Sequence, residues 1–133
     1  MPRQQPEFRL HCLIAAVLRL QIKPGHFAFH SPNGEHRSVR TGGKLKRMLV
    51  IPGVPDFTIL RKDKPTIGLE LKAAGAYQSA EQRAVEALWK AAGADYVVVK
   101  SYRAAIDFLE AEDVIRPVRD NARFAPRQTA EAA

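Results

Sequence analysis

The chain has 133 residues, 46% apolar and 26% charged. That composition fits one globular domain with a sufficient core, and excludes a disordered or fibrous chain. Its 21 Lys and Arg against 14 Asp and Glu leave a formal charge of +7, a field that favours polyanionic partners and nucleic acid first among them. The single cysteine, Cys12, excludes an internal disulfide and a Cys-x-x-Cys metal site, and its apolar helical surroundings predict a buried structural thiol. No apolar run reaches the roughly 18 residues of a membrane span, and Met1-Pro2-Arg3-Gln4-Gln5 does not open a signal peptide. An intracellular, soluble protein is expected.

Pro6-Glu7 suits a first helical turn, and Phe8, Leu10, Leu13, Ile14, Val17, Leu18 and Leu20 recur at helical spacing until Lys23-Pro24-Gly25 stops the helix. Phe27 to His30 reads as a short strand and Ser31-Pro32-Asn33-Gly34 as a turn. His36 to Gly43 reads as a polar, basic loop leading into a short helix over Lys44 to Met48. Phe57 to Leu60 and Thr66 to Lys72 are predicted strands, joined by the charged loop Arg61 to Pro65 into an antiparallel hairpin. A period of two sends Ile67, Leu69 and Leu71 to one face of the second strand, and Gly68, Glu70 and Lys72 to the other.

Ser79-Ala80-Glu81-Gln82 is a capping box opening a helix through Ala84, Val85, Leu88, Trp89 and Ala92, which Gly93 closes. Tyr96 to Val99 reads as a strand buried on both faces, pairing parallel with the Glu70 strand through a βαβ crossover. Tyr102 to Glu112 is a final helix. Residues 1–115 are expected to form the folded unit and 116–133 a flexible tail.

Two carboxylates and a lysine then converge. Asp56 in Gly53-Val54-Pro55-Asp56 precedes one strand, and Glu70-Leu71-Lys72 begins fourteen positions later on the next. Phosphodiester hydrolysis needs an activated water, neutralised charge at phosphorus and a stabilised leaving oxygen, which a carboxylate-held divalent cation can supply. Asp56, Glu70 and the backbone carbonyl of Leu71 are candidate hard-oxygen ligands for Mg²⁺ or Mn²⁺. Lys72, on the face of Glu70, would orient the water or offset charge on the phosphate. Charged groups inside an apolar strand are costly unless paired or metal-bound. Gly53 and Pro55 shape the approach to Asp56, and Gly68 is read as open space beside Glu70.

Asn33, Arg37, Arg40, Lys44, Lys46 and Arg47 form one basic stretch suited to gripping phosphates, with a solvated loop as the alternative. Tyr77 would stack on a base or sugar, or fill a loop. His30 and His36 flank the Asn-Gly turn, but a metal site needs a third clustered ligand, so backbone or phosphate contact is expected of them.

In this order the motifs resemble the VRR-NUC domains of the PD-(D/E)xK nuclease superfamily, small virus-type replication and repair nucleases. The resemblance runs from Glu7 to Tyr102. It is carried by Glu7 in the first helix, Asn33-Gly34 with Arg37, Gly53-Val54-Pro55-Asp56, Glu70-Leu71-Lys72, Gln82, and Gly93 through Val99. It implies an α/β fold of restriction-endonuclease type, a mixed sheet flanked by helices. It also implies Mg²⁺- or Mn²⁺-dependent DNA cleavage, and homodimers acting on branched DNA such as four-way (Holliday) junctions. No membrane partner and no small-molecule cofactor are expected. On the same resemblance Glu7 is a metal ligand or outer base, though an acidic first turn also complements a helix dipole. Gln82 holds the metal-bound water as well as capping its helix, and Gln78 is the second choice for that glutamine. A nicking or restriction-type nuclease acting on ordinary duplex, and a non-catalytic nucleic-acid-binding module of the same fold, are the alternatives.

Overall fold

In the computed structural model, which describes residues 6–32 and 39–118, the strand β3 (Lys64–Leu71) lies inside a four-stranded sheet, and its last five residues are all buried. Chain order gives α1 (Pro6–Gln21), β1 (His26–His30), α2 (Val39–Arg47), β2 (Phe57–Arg61), β3, α3 (Ala80–Ala91), β4 (Asp95–Val99) and α4 (Tyr102–Ala111). The sheet order is β1-β2-β3-β4. β1 and β2 pair antiparallel, as do β2 and β3, and β4 lies parallel to β3 in the register Leu69↔Val97 and Leu71↔Val99. The architecture is the expected mixed sheet flanked by helices.

Alternation along β3 separates two environments. Ile67, Leu69 and Leu71 join Leu10, Ile14, Val17 and Leu18 of α1, Ile106 and Leu109 of α4, and Phe57 and Ile59 of β2 in one apolar core. The opposite face receives α3, where Gly68 faces Pro55 and Trp89 and Glu70 faces Gln82. β4 is covered on both sides, with Val99 in the core and Tyr96 edge-on to Trp89. At the hairpin end the Arg61 guanidinium is only 3% exposed and pairs with Asp95 at 2.9 Å and Glu112 at 3.2 Å, tying β2 to β4 and to the end of α4. A cation this buried is retained only because it is paired.

Several expectations are corrected by geometry. Cys12 is exposed, because the buried stripe of α1 runs Leu10, Ile14, Val17 and Leu18 and position 12 points away from it. Phe8, Leu13 and Leu20 are exposed for the same reason. On α3 only Val85 is buried, and Leu88 faces outward. The helix expected over Lys44 to Met48 begins earlier, at Val39, and takes in Gly42 and Gly43. The hairpin connection is tighter than five residues, since β3 starts at Lys64 and Asp63 takes a left-handed φ of 60°.

Gly68 is not open space. A Cβ there would lie 2.6 Å from Pro55 Cγ and 2.9 Å from Trp89 Cε2. Pro55 is fully buried, and the indole is held by its Nε1–H donating to Asp95 O at 2.8 Å. The glycine serves close packing of α3 on the sheet.

Past α4, Ile22 and Ile115 form an isolated bridge, and the N–H groups of Arg116 and Val118 donate to Gln21 O and Glu110 Oε1. The remainder of the expected tail lies outside the described residues, as do Asn33, His36 and Arg37. Among the described residues no helix is long and apolar enough to cross a membrane.

Gly68→Ala is expected to lower the unfolding free energy by about 1–3 kcal/mol through overpacking. The readout is a lower urea midpoint at unchanged slope, and an unchanged midpoint would mean that α3 can retreat without loss.

Candidate active site

Extending the β2–β3 register by one residue beyond Phe57↔Leu69 sets Asp56 opposite Glu70, so their side chains emerge on one face as cross-strand neighbours. Asp56 Oδ2 accepts the Leu71 N–H at 2.8 Å, and its carboxyl group crowds that of Glu70. Glu70 is 3% exposed. Its Oε1 accepts from Gln82 Nε2 at 2.9 Å, whereas Oε2 is buried with no partner among the described residues. Burial, then the charge of Asp56, push the Glu70 carboxyl up to about 8 against the opposing pull of Lys72.

Gln82 does two things at once. Its Oε1 accepts the Ser79 N–H at 2.8 Å, closing the capping box, while its amide nitrogen reaches Glu70. Gln78 turns elsewhere and donates to Glu86 Oε1 at 3.0 Å. A cleft of about 210 Å³ opens between Gly53, Val54, Asp56, Glu70, Glu81 and Gln82. Gly53 makes this approach feasible: its φ is +90°, and a Cβ would meet the Glu81 carbonyl at 2.7 Å.

The N-terminus of α1 closes another side. Glu7 Oε1 accepts the Ala73 N–H at 3.3 Å and stands 4.0 Å from Lys72 Nζ, a lysine whose side chain is only 12% exposed. Asp56, Glu70, Lys72, Gln82 and Glu7 are thus gathered together, with Leu71 between the two β3 charges. The nucleic-acid residues are more dispersed. Lys44, Lys46 and Arg47 are exposed in the last turn of α2, and Arg40 lies in its first turn. Tyr77 is 84% exposed, with Lys100 Nζ 5.4 Å from its ring centre. The partly buried reading of Tyr77 is therefore ruled out.

One residue at this site was not singled out from the sequence. His11 stacks on Phe57 with ring centres 4.4 Å apart and meets His30 edge-on at 4.3 Å. Burial and the neighbouring His30 lower its affinity for a proton, against the pull of Asp56. The available signal was its place four residues after Glu7, on the same face of one helix. His30 Nδ1–H donates to the backbone oxygen of Asp56 at 2.6 Å, the backbone contact expected of it.

A hard divalent cation fits this donor set. Two carboxyl groups crowd together, one of their oxygens lacks a partner among the described residues, and the Leu71 backbone lies beside them. Without the ion, the folded chain holds the Glu70 proton from its ordinary 4.5 up to about 8, so it binds more protons than the unfolded chain across that window and loses stability as pH rises through it. The thermal midpoint of chelator-treated protein is expected to fall across the same range, and Glu70→Gln to flatten the fall. Equal slopes in the two proteins would remove Glu70 as its cause.

No family model matches the chain, and no curated protein matches it. Among solved structures it is similar to a VRR_NUC domain protein, with a TM-score of 0.66 and 21% identity over 82% of this chain and 88% of that one. The chain has a VRR-NUC-like fold.

Proposed function

We propose that this chain is a divalent-metal-dependent DNA endonuclease, hydrolysing phosphodiester bonds in branched DNA such as four-way junctions and acting as a homodimer. The observation that carries the reading is Glu70: a carboxyl group buried in an inner strand, one oxygen without a partner among the described residues, set against Asp56 with Lys72 alongside. A purely structural carboxyl group would have both of its oxygens satisfied. The VRR-NUC-like fold and the order of the motifs support the same reaction.

Asp56, Glu70 and the Leu71 carbonyl would hold Mg²⁺ or Mn²⁺, which when bound supplies a water of lowered pKa and neutralises charge at phosphorus. Gln82, anchored to Ser79, holds Glu70 in orientation. Lys72, shielded from water and facing Glu7, offsets charge on a phosphate oxygen and takes its position from that carboxylate. Lys44, Lys46 and Arg47 on α2, with Arg40, Asn33 and Arg37 of the same basic stretch, grip the backbone without reading bases. Exposed Tyr77 offers a face for stacking. Two-fold association would place two sites on a junction, and exposed Met48, Leu49 and Ile51 ahead of Gly53 offer apolar surface for it.

Labelled four-way DNA is expected to be cut faster than linear or flapped DNA in Mg²⁺ or Mn²⁺, and not at all in chelator. Asp56→Ala and Lys72→Ala should each slow cutting by about 10²-fold or more. Absence of cleavage of every DNA form with either ion, together with unchanged metal binding by Asp56→Ala, would sink the proposal.

A further inference from the structure

We propose that His11, His30 and Asp56 form a second cation site, one that takes a zinc-class transition ion and stands beside the all-oxygen carboxylate site. The inference goes beyond the proposed nuclease activity and is read by binding alone. Three elements bring the donors together: the middle of α1, the end of β1 and the residue before β2. One ligand atom from each lies within 4.8 Å of the other two. A tetrahedral zinc with bonds of about 2.0–2.2 Å holds its ligands roughly 3.3–3.6 Å apart, so the trio has to draw in by only about 1–1.5 Å. His30, exposed at the sheet edge, has room for that movement.

The rings are prepared for ligation. A backbone carbonyl can only accept, so the 2.6 Å contact with Asp56 O puts the proton of His30 on Nδ1 and leaves Nε2 of the neutral ring with its lone pair. Metal-bound histidines are commonly oriented by this arrangement, one nitrogen on a backbone carbonyl and the other on the ion. His11 is held by stacking on Phe57 and by the edge of the His30 ring. Two imidazoles and one carboxylate suit zinc, whereas Mg²⁺ prefers oxygen throughout. With three protein ligands the ion keeps an open position for water or for a phosphate oxygen. His11 and Asp56 supply the two further ligands that the sequence did not place beside His30.

Zn²⁺ titration of chelator-treated protein by calorimetry, with visible absorption of the Co²⁺ form as a second readout, tests the site. One Zn²⁺ per chain is expected to bind in the presence of excess Mg²⁺. His11→Ala and His30→Gln should each weaken binding by at least about tenfold, with thermal melts verifying that both variants fold. His26→Ala should leave binding unchanged, which separates this site from the other histidines, and because neither His11 nor His30 belongs to the carboxylate pair, their effect separates it from that pair. The proposal is overturned if the wild type binds no Zn²⁺, if both folded histidine variants bind as tightly as the wild type, or if His26→Ala weakens Zn²⁺ as much as they do.

Discussion

A carboxyl group buried next to last on an inner strand constrains most of the structure. An ionised carboxylate removed from water costs several kcal/mol unless something answers it, and Glu70 is answered by its raised affinity for a proton, which burial and the neighbouring Asp56 impose, and by the Gln82 amide. The amide reaches only because α3 starts where it does, and that start is fixed by the same side chain through Ser79. Gly68, one step along the same face of β3, lets Trp89 and Pro55 meet over the strand, and Gly53 lets its loop touch the first turn of α3. Two glycines and a capping box, far apart in the chain, all serve the distance between α3 and β3.

α1 works on two sides at once. Its buried stripe of Leu10, Ile14, Val17 and Leu18 anchors it to the core, and the neighbouring stripe carries Glu7 and His11 to the ends of the strands. Because the core contact fixes rotation about the helix axis, these two side chains are placed by packing they do not share. Glu7 caps the end of β3 through Ala73 and faces Lys72, while His11 lies over Phe57 and His30. Substitutions deep in that stripe would be felt at the site through the rotation of the helix.

The sequence was most legible where order is local. Strand alternation put Glu70 opposite in facing to Leu69 and Leu71, the Ser79–Gln82 spacing marked the start of α3, and charged turn residues marked the hairpin. Where three-dimensional neighbours decide the outcome, it was less so. Cys12 and Leu13 lie among apolar residues yet fall off the stripe, a matter of angle that composition does not report. Gly42 and Gly43 read as loop residues because they weaken a helix, but α2 runs through them. Gly68 looked like empty space because its neighbours, Pro55 and Trp89, come from distant segments. His11 escaped notice because its partners belong to β1 and β2, and a lone histidine on an apolar helix is ordinarily a packing residue.

The Pro55-Asp56 pair explains why these requirements meet at one point. Proline has no N–H to offer a neighbouring strand, so β2 begins after it. The Leu71 N–H therefore lies beyond the end of the β2 ladder, and the Asp56 carboxylate takes it. A side chain thus does what a backbone carbonyl would have done, which draws a negative group to the end of β3 beside Glu70. On its other flank the Asp56 carbonyl receives the His30 ring, and the Pro55 ring itself packs over Gly68. Ending the strand with proline joins three strands around one acidic residue, and that residue is consequently the one both donor sets share.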